Sequence, residues 1–277
     1  MAEQNPCNHR LVTKNSRNFT VAPGNYADFW DSLEKGEWEP DTFRIFDSFI
    51  STDTVFFDIG SWIGPTALYG AQTAARTHAF EPDPVAYAAL AANVGANDNA
   101  PWRARLNVWN KAVALEAGTL RMGSKYKIGD SMSSALFCDE NNSWEVEAIG
   151  FAKLVEEERS EGGTLFVKMD IEGGEFKLIP AIRETLTRHD MTLYLSTHPI
   201  FMAIEHFKNY RMDFVGRLIC CWHQFKLVRS LPFKFIYYQD GKKLNLARDL
   251  MAIMLGKLPL FELVATNRQW NLPASGA

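Results

Sequence analysis

Val55-Phe56-Phe57-Asp58-Ile59-Gly60-Ser61-Trp62-Ile63-Gly64-Pro65 is the stretch whose reading decides the fold. A short apolar strand runs into an acid, then into a glycine turn. A helix then opens at Pro65, where the missing proline N–H costs nothing. Moving outward, His78-Ala79-Phe80-Glu81-Pro82-Asp83-Pro84 reads as a second strand that also ends in an acid. Glu81 follows Asp58 by 23 residues, close to the ~20-residue offset at which a doubly wound fold hydrogen-bonds a ribose diol. Strand ends that set an acid and bare backbone beside a helix N-terminus suit a nucleoside-containing cofactor.

The alternation continues along the chain. Strands are expected at 54–58, 76–81, 104–109, 164–170 and 191–196, with helices at 65–75, 84–96 and 174–188. Strands separated by helical patterns imply parallel crossovers with helices on both sheet faces. The expected fold is therefore α/β, a doubly wound, mostly parallel sheet. Residues 1–50 form a preface read as helical, because Tyr26, Phe29, Trp30 and Leu33 fall at the spacing of one apolar helix face. Residues 51–277 form the main domain. Inserted β segments are expected within 111–150, and a C-terminal elaboration fills 200–277, with a helical stretch over 200–222 and a last strand near 260–266.

Composition narrows the class. Of 277 residues, 47% are hydrophobic, enough to fill a substantial core. The net charge is −4 with no long run of either sign, which argues against a general nucleic-acid binder. Met1-Ala2-Glu3-Gln4-Asn5-Pro6 lacks the basic-then-apolar pattern of a secretory signal. The apolar stretch from Leu250 to Val264 is interrupted by Lys257, Pro259 and Glu262, so no membrane span is expected. Cys7, Cys138, Cys220 and Cys221 show neither C-x-x-C nor metal spacing, and adjacent cysteines seldom bridge. A cytoplasmic location is the expectation.

The glycine turn carries the chemistry. Neither the dinucleotide G-x-G-x-x-G nor the phosphate-cradling G-x-x-x-x-G-K-[ST] is present. Asp58-x-Gly60-x-x-x-Gly64 instead suits a cofactor whose end at the glycines is an amino acid, since an acid there repels phosphate. S-adenosylmethionine meets that description, with its ammonium, carboxylate and sulfonium. Glu81 is placed to accept the ribose hydroxyls. In Lys168-Met169-Asp170-Ile171-Glu172-Gly173-Gly174-Glu175 a strand delivers Asp170 and Glu172 to the ligand-binding edge of the sheet. Strand alternation would put both acids on one face, to steady a cationic donor, act as base, or hold a divalent metal. Glu175 reads as a helix cap. His198, in Ser196-Thr197-His198-Pro199, lies at the same edge and is a candidate base. His206 and His223 read as structural.

These elements together resemble the FkbM-type methyltransferases, a branch of the class I S-adenosylmethionine-dependent enzymes. The resemblance rests on Asp58-Ile59-Gly60 with Gly64, Phe80-Glu81-Pro82-Asp83-Pro84, Asn93, Lys111-Ala112-Val113 and the Lys168–Glu175 segment. It implies that Asp58, Gly60, Ser61 and Gly64 line the methionine half of the cofactor, Glu81 the ribose, and Asn110, Lys111 and Ala112 the adenine. It implies further that Ser131, Ser133 and Ser134 close over the cofactor, and that the reaction is O-methylation of a small molecule or sugar. Ser61-Trp62 departs from the small residue and Asn expected after the glycine. Asp170, Glu172 and His198 are the catalytic candidates, and no residue is assigned as a metal ligand. A homo-oligomer is compatible with the sequence. Two other classes remain open: a non-catalytic S-adenosylmethionine- or nucleoside-binding protein, and a nicotinamide oxidoreductase, which the missing third glycine disfavours.

Overall fold

The computed structural model describes residues 9–124, 128–136, 138, 142–159, 163–208, 211–258 and 260–271. Cys7 and parts of the 111–150 segment lie outside them. At the centre is a seven-stranded sheet: β1 (Thr54–Ile59), β2 (Arg76–Phe80), β3 (Leu106–Trp109), β4 (Thr164–Met169), β5 (Met191–Thr197), β6 (Phe235–Tyr238) and β7 (Phe261–Thr266). Their spatial order is β6-β7-β5-β4-β1-β2-β3. The five strands from β5 to β3 pair in parallel, while β7 is antiparallel to both β5 and β6.

Every residue of β1 and β5 is buried, because both faces of the sheet are covered. Side-chain alternation divides the core. Phe56, Phe166 and Tyr194 point into a cluster shared with α1 (Ala27–Lys35), α2 (Pro40–Phe49), α3 (Pro65–Gly70) and α4 (Pro84–Gly95). Phe57, Val167 and Leu193 point the other way, toward α5 (Phe151–Arg159), α6 (Glu175–Ala181), α7 (Arg183–Arg188) and α8 (Phe214–Ser230). That two-sided packing is the doubly wound architecture expected from the sequence. The chain closes with α9 (Leu246–Met254) ahead of β7.

Several boundaries differ from the sequence reading. The preface opens with a β-hairpin, Arg10–Lys14 against Arg17–Val21, before its two helices. The helix expected over 65–75 stops at Gly70, where any Cβ would press within 2.5 Å of the Phe56 ring. The helix expected over 174–188 divides at Ile182, just past Pro180, which has no N–H for the ladder. The stretch 200–222 is a 3₁₀ segment, Pro199–His206, followed by α8. The 111–150 insertion forms its own four-stranded sheet from Ala112–Ala114, Gly118–Ser124, Ser133–Ser134 and Ser143–Gly150.

Candidate active site

A cavity of ≈ 610 Å³ opens at the carboxyl ends of the parallel strands, beneath the inserted sheet. Its floor is the turn after β1. Gly60 has φ +80°, and a Cβ there would lie 1.9 Å from the Asp170 carbonyl oxygen, so only glycine lets the two strand ends meet. Gly64 has φ +94°, and its Cβ would fall 2.5 Å from Leu90. Gly60 and Ser61 line the cavity, whereas Asp58 and Gly64 support it from behind. Asp58 is fully buried. Its Oδ2 accepts from the Thr66 hydroxyl at 2.7 Å, and its Oδ1 lies 3.6 Å from Lys168 Nζ. Burial raises the Asp58 pKa, with Lys168 opposing the shift.

Trp62, which stands where Asn is expected, has a specific role in the turn. At φ +48° its N–H donates to Glu81 Oε2 at 2.7 Å, and its ring packs edge-on against Phe29 and Tyr26 of the preface. Glu81 Oε1 accepts from the Asp83 N–H at 2.8 Å. Each carboxylate oxygen thus holds one backbone donor, and Glu81 lines the cavity. Burial pushes the Glu81 pKa up to about 8. Asp83 caps α4 through the Val85 and Ala86 N–H groups, and its Oδ2 accepts from the Gly129 N–H and the Ser133 hydroxyl. In this way the start of α4 ties down the loop carrying Ser131 and Ser133, and both serines line the cavity. Lys111 and Ala112 also line it. Asn110 does not, and its amide donates to the Glu81 and Pro82 carbonyls.

At the end of β4 the structure departs from simple alternation. The strand stops at Met169, and Glu172 turns with φ +51°, a left-handed backbone that costs a non-glycine residue energy. The turn still brings Asp170, Glu172 and His198 together, with one ligand-type atom from each lying within 4.8 Å of the others. His198 Nδ1 is 3.6 Å from Glu172 Oε2 and 3.9 Å from Asp170 Oδ1. All three atoms are buried without a hydrogen-bond partner, and all three residues line the cavity. Burial, reinforced by Asp170, raises the Glu172 pKa to about 9. Burial lowers that of His198. Glu175 is more than a helix cap. Fully buried, it accepts from the Gly173 N–H at 2.9 Å and the His198 N–H at 3.0 Å, clamping the loops after β4 and β5 together.

Three cavity residues were missed by the sequence reading as site residues. Lys168 projects from β4 with its Nζ 3.2 Å from the Gly60 carbonyl oxygen, between Asp58 and Asp170. Burial pulls its pKa down, but the surrounding carboxylates outweigh that and drive it up, so the ammonium stays charged. Glu39, at φ +37° before α2, accepts from the Thr42 hydroxyl at 2.9 Å. Glu262 of β7 accepts from the Ser196 hydroxyl at 2.6 Å, and burial beside Glu39 and Asp170 pushes its pKa up to about 8. With Trp38 and Phe29, these two acids close the side of the cavity nearest β7. A lysine in an apolar strand was the one signal available in the sequence; Glu39 and Glu262 carried none.

The sequence matches the family model described as the methyltransferase FkbM domain over residues 58–237, well over half of the chain. Among solved structures, a methyltransferase FkbM from Methylobacillus flagellatus is 17% identical, covers 53% of this chain and 33% of its own, and has a TM-score of 0.38. This chain thus spans about a third of that protein's length. A putative methyltransferase from Streptococcus mutans in complex with SAH is 8% identical, covers 82% and 94%, and has a TM-score of 0.40. A TehB-like SAM-dependent methyltransferase from Corynebacterium glutamicum is 11% identical, covers 88% and 97%, and also has a TM-score of 0.40. Comparison with curated proteins returns no match.

Proposed function

We propose that this chain, which belongs to the FkbM methyltransferase family, is an S-adenosylmethionine-dependent methyltransferase whose acceptor is a hydroxyl of a small neutral molecule, a sugar above all. The observation that supports this reading is the makeup of the cavity beside β7. Trp38 and Phe29 offer aromatic surface for the apolar face of a ring, and Glu39 and Glu262 offer carboxylates to its hydroxyls.

Bound S-adenosylmethionine supplies an electrophilic methyl group. Glu81 would accept the ribose hydroxyls, and the Gly60-Ser61 backbone would lie along the methionine end. The acceptor hydroxyl would take that methyl group and pass its proton to the protein. His198 is the base we favour, because its lowered pKa leaves the ring neutral with a buried, unpartnered Nδ1. Asp170 would orient the hydroxyl. Glu172, held up near 9, keeps its proton at neutral pH. Most of the rate would come from placement and from excluding water.

Methyl transfer from labelled donor to a panel of sugars and hydroxylated small molecules, with the product located by mass spectrometry, tests this. An O-methyl product supports the reading. Transfer only to nitrogen, protein or RNA rejects it. A second role for the trio is favoured by the same three unpartnered atoms: two carboxylates and an imidazole are a donor set that fits a divalent cation. Titration of chelator-treated protein with Mg²⁺ and Mn²⁺ decides that point, since absence of a binding heat together with chelator-insensitive activity removes the metal.

A further inference from the structure

The C-terminal elaboration presents a surface unlike the rest of the molecule. Among the described residues, nine of the thirteen exposed large apolar side chains fall between Phe214 and Leu260. Single exposed apolar residues are ordinary, but a concentration of this kind marks an interaction site. On α8, Phe214, Leu218, Trp222 and Phe225 recur at spacings of four, four and three, one stripe along the helix. Trp222 and Phe225 stack at 6.5 Å. The opposite side of α8 is buried through Cys220, Leu227 and Val228. A helix apolar on both sides, with one side facing solvent, calls for a cover.

Charge indicates which cover fits. Residues 200–277 hold eleven lysines and arginines against five acids, in a chain whose net charge is −4. Beside the stripe, Arg211, Arg217 and Lys257 line a second cavity of ≈ 240 Å³ together with Leu255 and Leu258. Arg217 is held in place, donating to the Met212 carbonyl at 3.1 Å and the Met254 carbonyl at 3.0 Å, and so binds the start of α8 to the end of α9. Asp213 lies outside that cavity, occupied in capping α8 through the Gly216 N–H and in pairing with His206 at 3.0 Å.

We propose that this face docks on an anionic lipid bilayer, with the apolar stripe at the acyl boundary and the Arg211–Arg217–Lys257 cavity around a lipid phosphate. No described helix is long and apolar enough to cross a membrane, so the contact is one of lying on the surface. An apolar strip with an exposed tryptophan, edged by cations, is the composition that such a surface selects. A second copy of the chain fits less well, because a two-fold contact would set one basic face against another.

Flotation with vesicles tests this, using phosphatidylcholine alone and phosphatidylcholine mixed with phosphatidylglycerol. The wild-type protein floats with the mixed vesicles and not with the neutral ones. Arg211→Gln with Lys257→Gln lowers partitioning about thirtyfold. Trp222→Ser with Leu255→Ser lowers it at least about tenfold, with an unchanged melt. Leu255 is 79% exposed, so Leu255→Ser alone serves if the double variant melts early. Failure to float with mixed vesicles, or flotation of both double variants equal to that of the wild type, overturns the proposal. So does a concentration-dependent dimer that Trp222→Ser dissolves, which would give the face to a second copy. Binding of an acidic protein without vesicle flotation overturns it as well.

Discussion

The two sides of the central cavity are made of different material. Beside β1 and β2 the wall is largely backbone and short side chains: Gly60 against the Asp170 carbonyl, Ser61, and Glu81 fixed by the Trp62 and Asp83 N–H groups. Beside β7 it is long side chains from distant segments, Trp38 and Glu39 from before α2 and Glu262 from the last strand. Four inter-strand steps separate β2 from β7, roughly 19 Å at the usual strand spacing. Family-wide chemistry resides where geometry is fixed by glycine and hydrogen-bonded loops. On the proposed reading, choice of acceptor would reside where side chains can be exchanged without disturbing those turns. The matched segment, 58–237, contains the first side and excludes both Glu39 and Glu262.

The largest effect is expected where the two sides meet. Asp170→Asn keeps the shape and replaces a carboxylate oxygen by an amide. If Asp170 orients the acceptor, turnover should fall roughly 10²–10⁴-fold, while the melting temperature moves little because the side chain is partly exposed. Steady-state kinetics beside a thermal melt measures both, and normal turnover would leave Asp170 a structural residue. Next is Glu81→Ala. Cofactor affinity should drop at least about tenfold through lost hydrogen bonds to the ribose, whereas Glu39→Gln should leave it unchanged. Calorimetric titration of S-adenosylhomocysteine into both variants would break the comparison if Glu39→Gln weakened it as much.

Legibility in the sequence followed the same division. The β1 turn and the β2 acid were readable because local backbone rules restrict them: an acid at a strand end, glycines at positive φ, proline opening a helix. The parallel sheet was readable because strands buried on both faces are continuous apolar runs. Asp170, Glu172 and His198 do lie together, but the left-handed turn at Glu172 rather than strand alternation brings them there. Glu39 and Glu262 are 223 residues apart and meet only through tertiary packing, so nothing local announces either. The hairpin of the preface escaped for another reason: strands of five residues with partly polar composition give too little periodicity to outweigh the aromatic helix pattern that follows.

A smaller effect isolates the β7 side. Trp38→Ala should raise the acceptor KM up to about tenfold, the loss of one aromatic contact worth ~0.5–1.5 kcal/mol. Its kcat and cofactor affinity should stay within about twofold. Initial-rate kinetics with an acceptor found by the labelled-donor assay checks this, and a fall in kcat with KM constant would move Trp38 to the reacting centre.

The smallest expected effect is one of pH, and it concerns the folded protein without ligand. Glu262 has its pKa raised by burial to about 8, from the ordinary 4.5. Between those values the folded protein keeps a proton that the unfolded chain releases. Stability therefore declines as pH rises through that window, and whatever the protonated carboxyl contributes is complete only below it. Glu262→Gln removes the titration while its remaining oxygen still accepts from Ser196. At pH 5 the variant and wild type should melt together. At pH 8.5 the variant should melt higher. Scanning calorimetry at the two pH values reads the difference directly. A gap of equal size at both would mean that the carboxylate is ionised and well paired, so that the β7 side holds a fixed negative charge rather than a proton-bearing group ready to meet an acceptor hydroxyl.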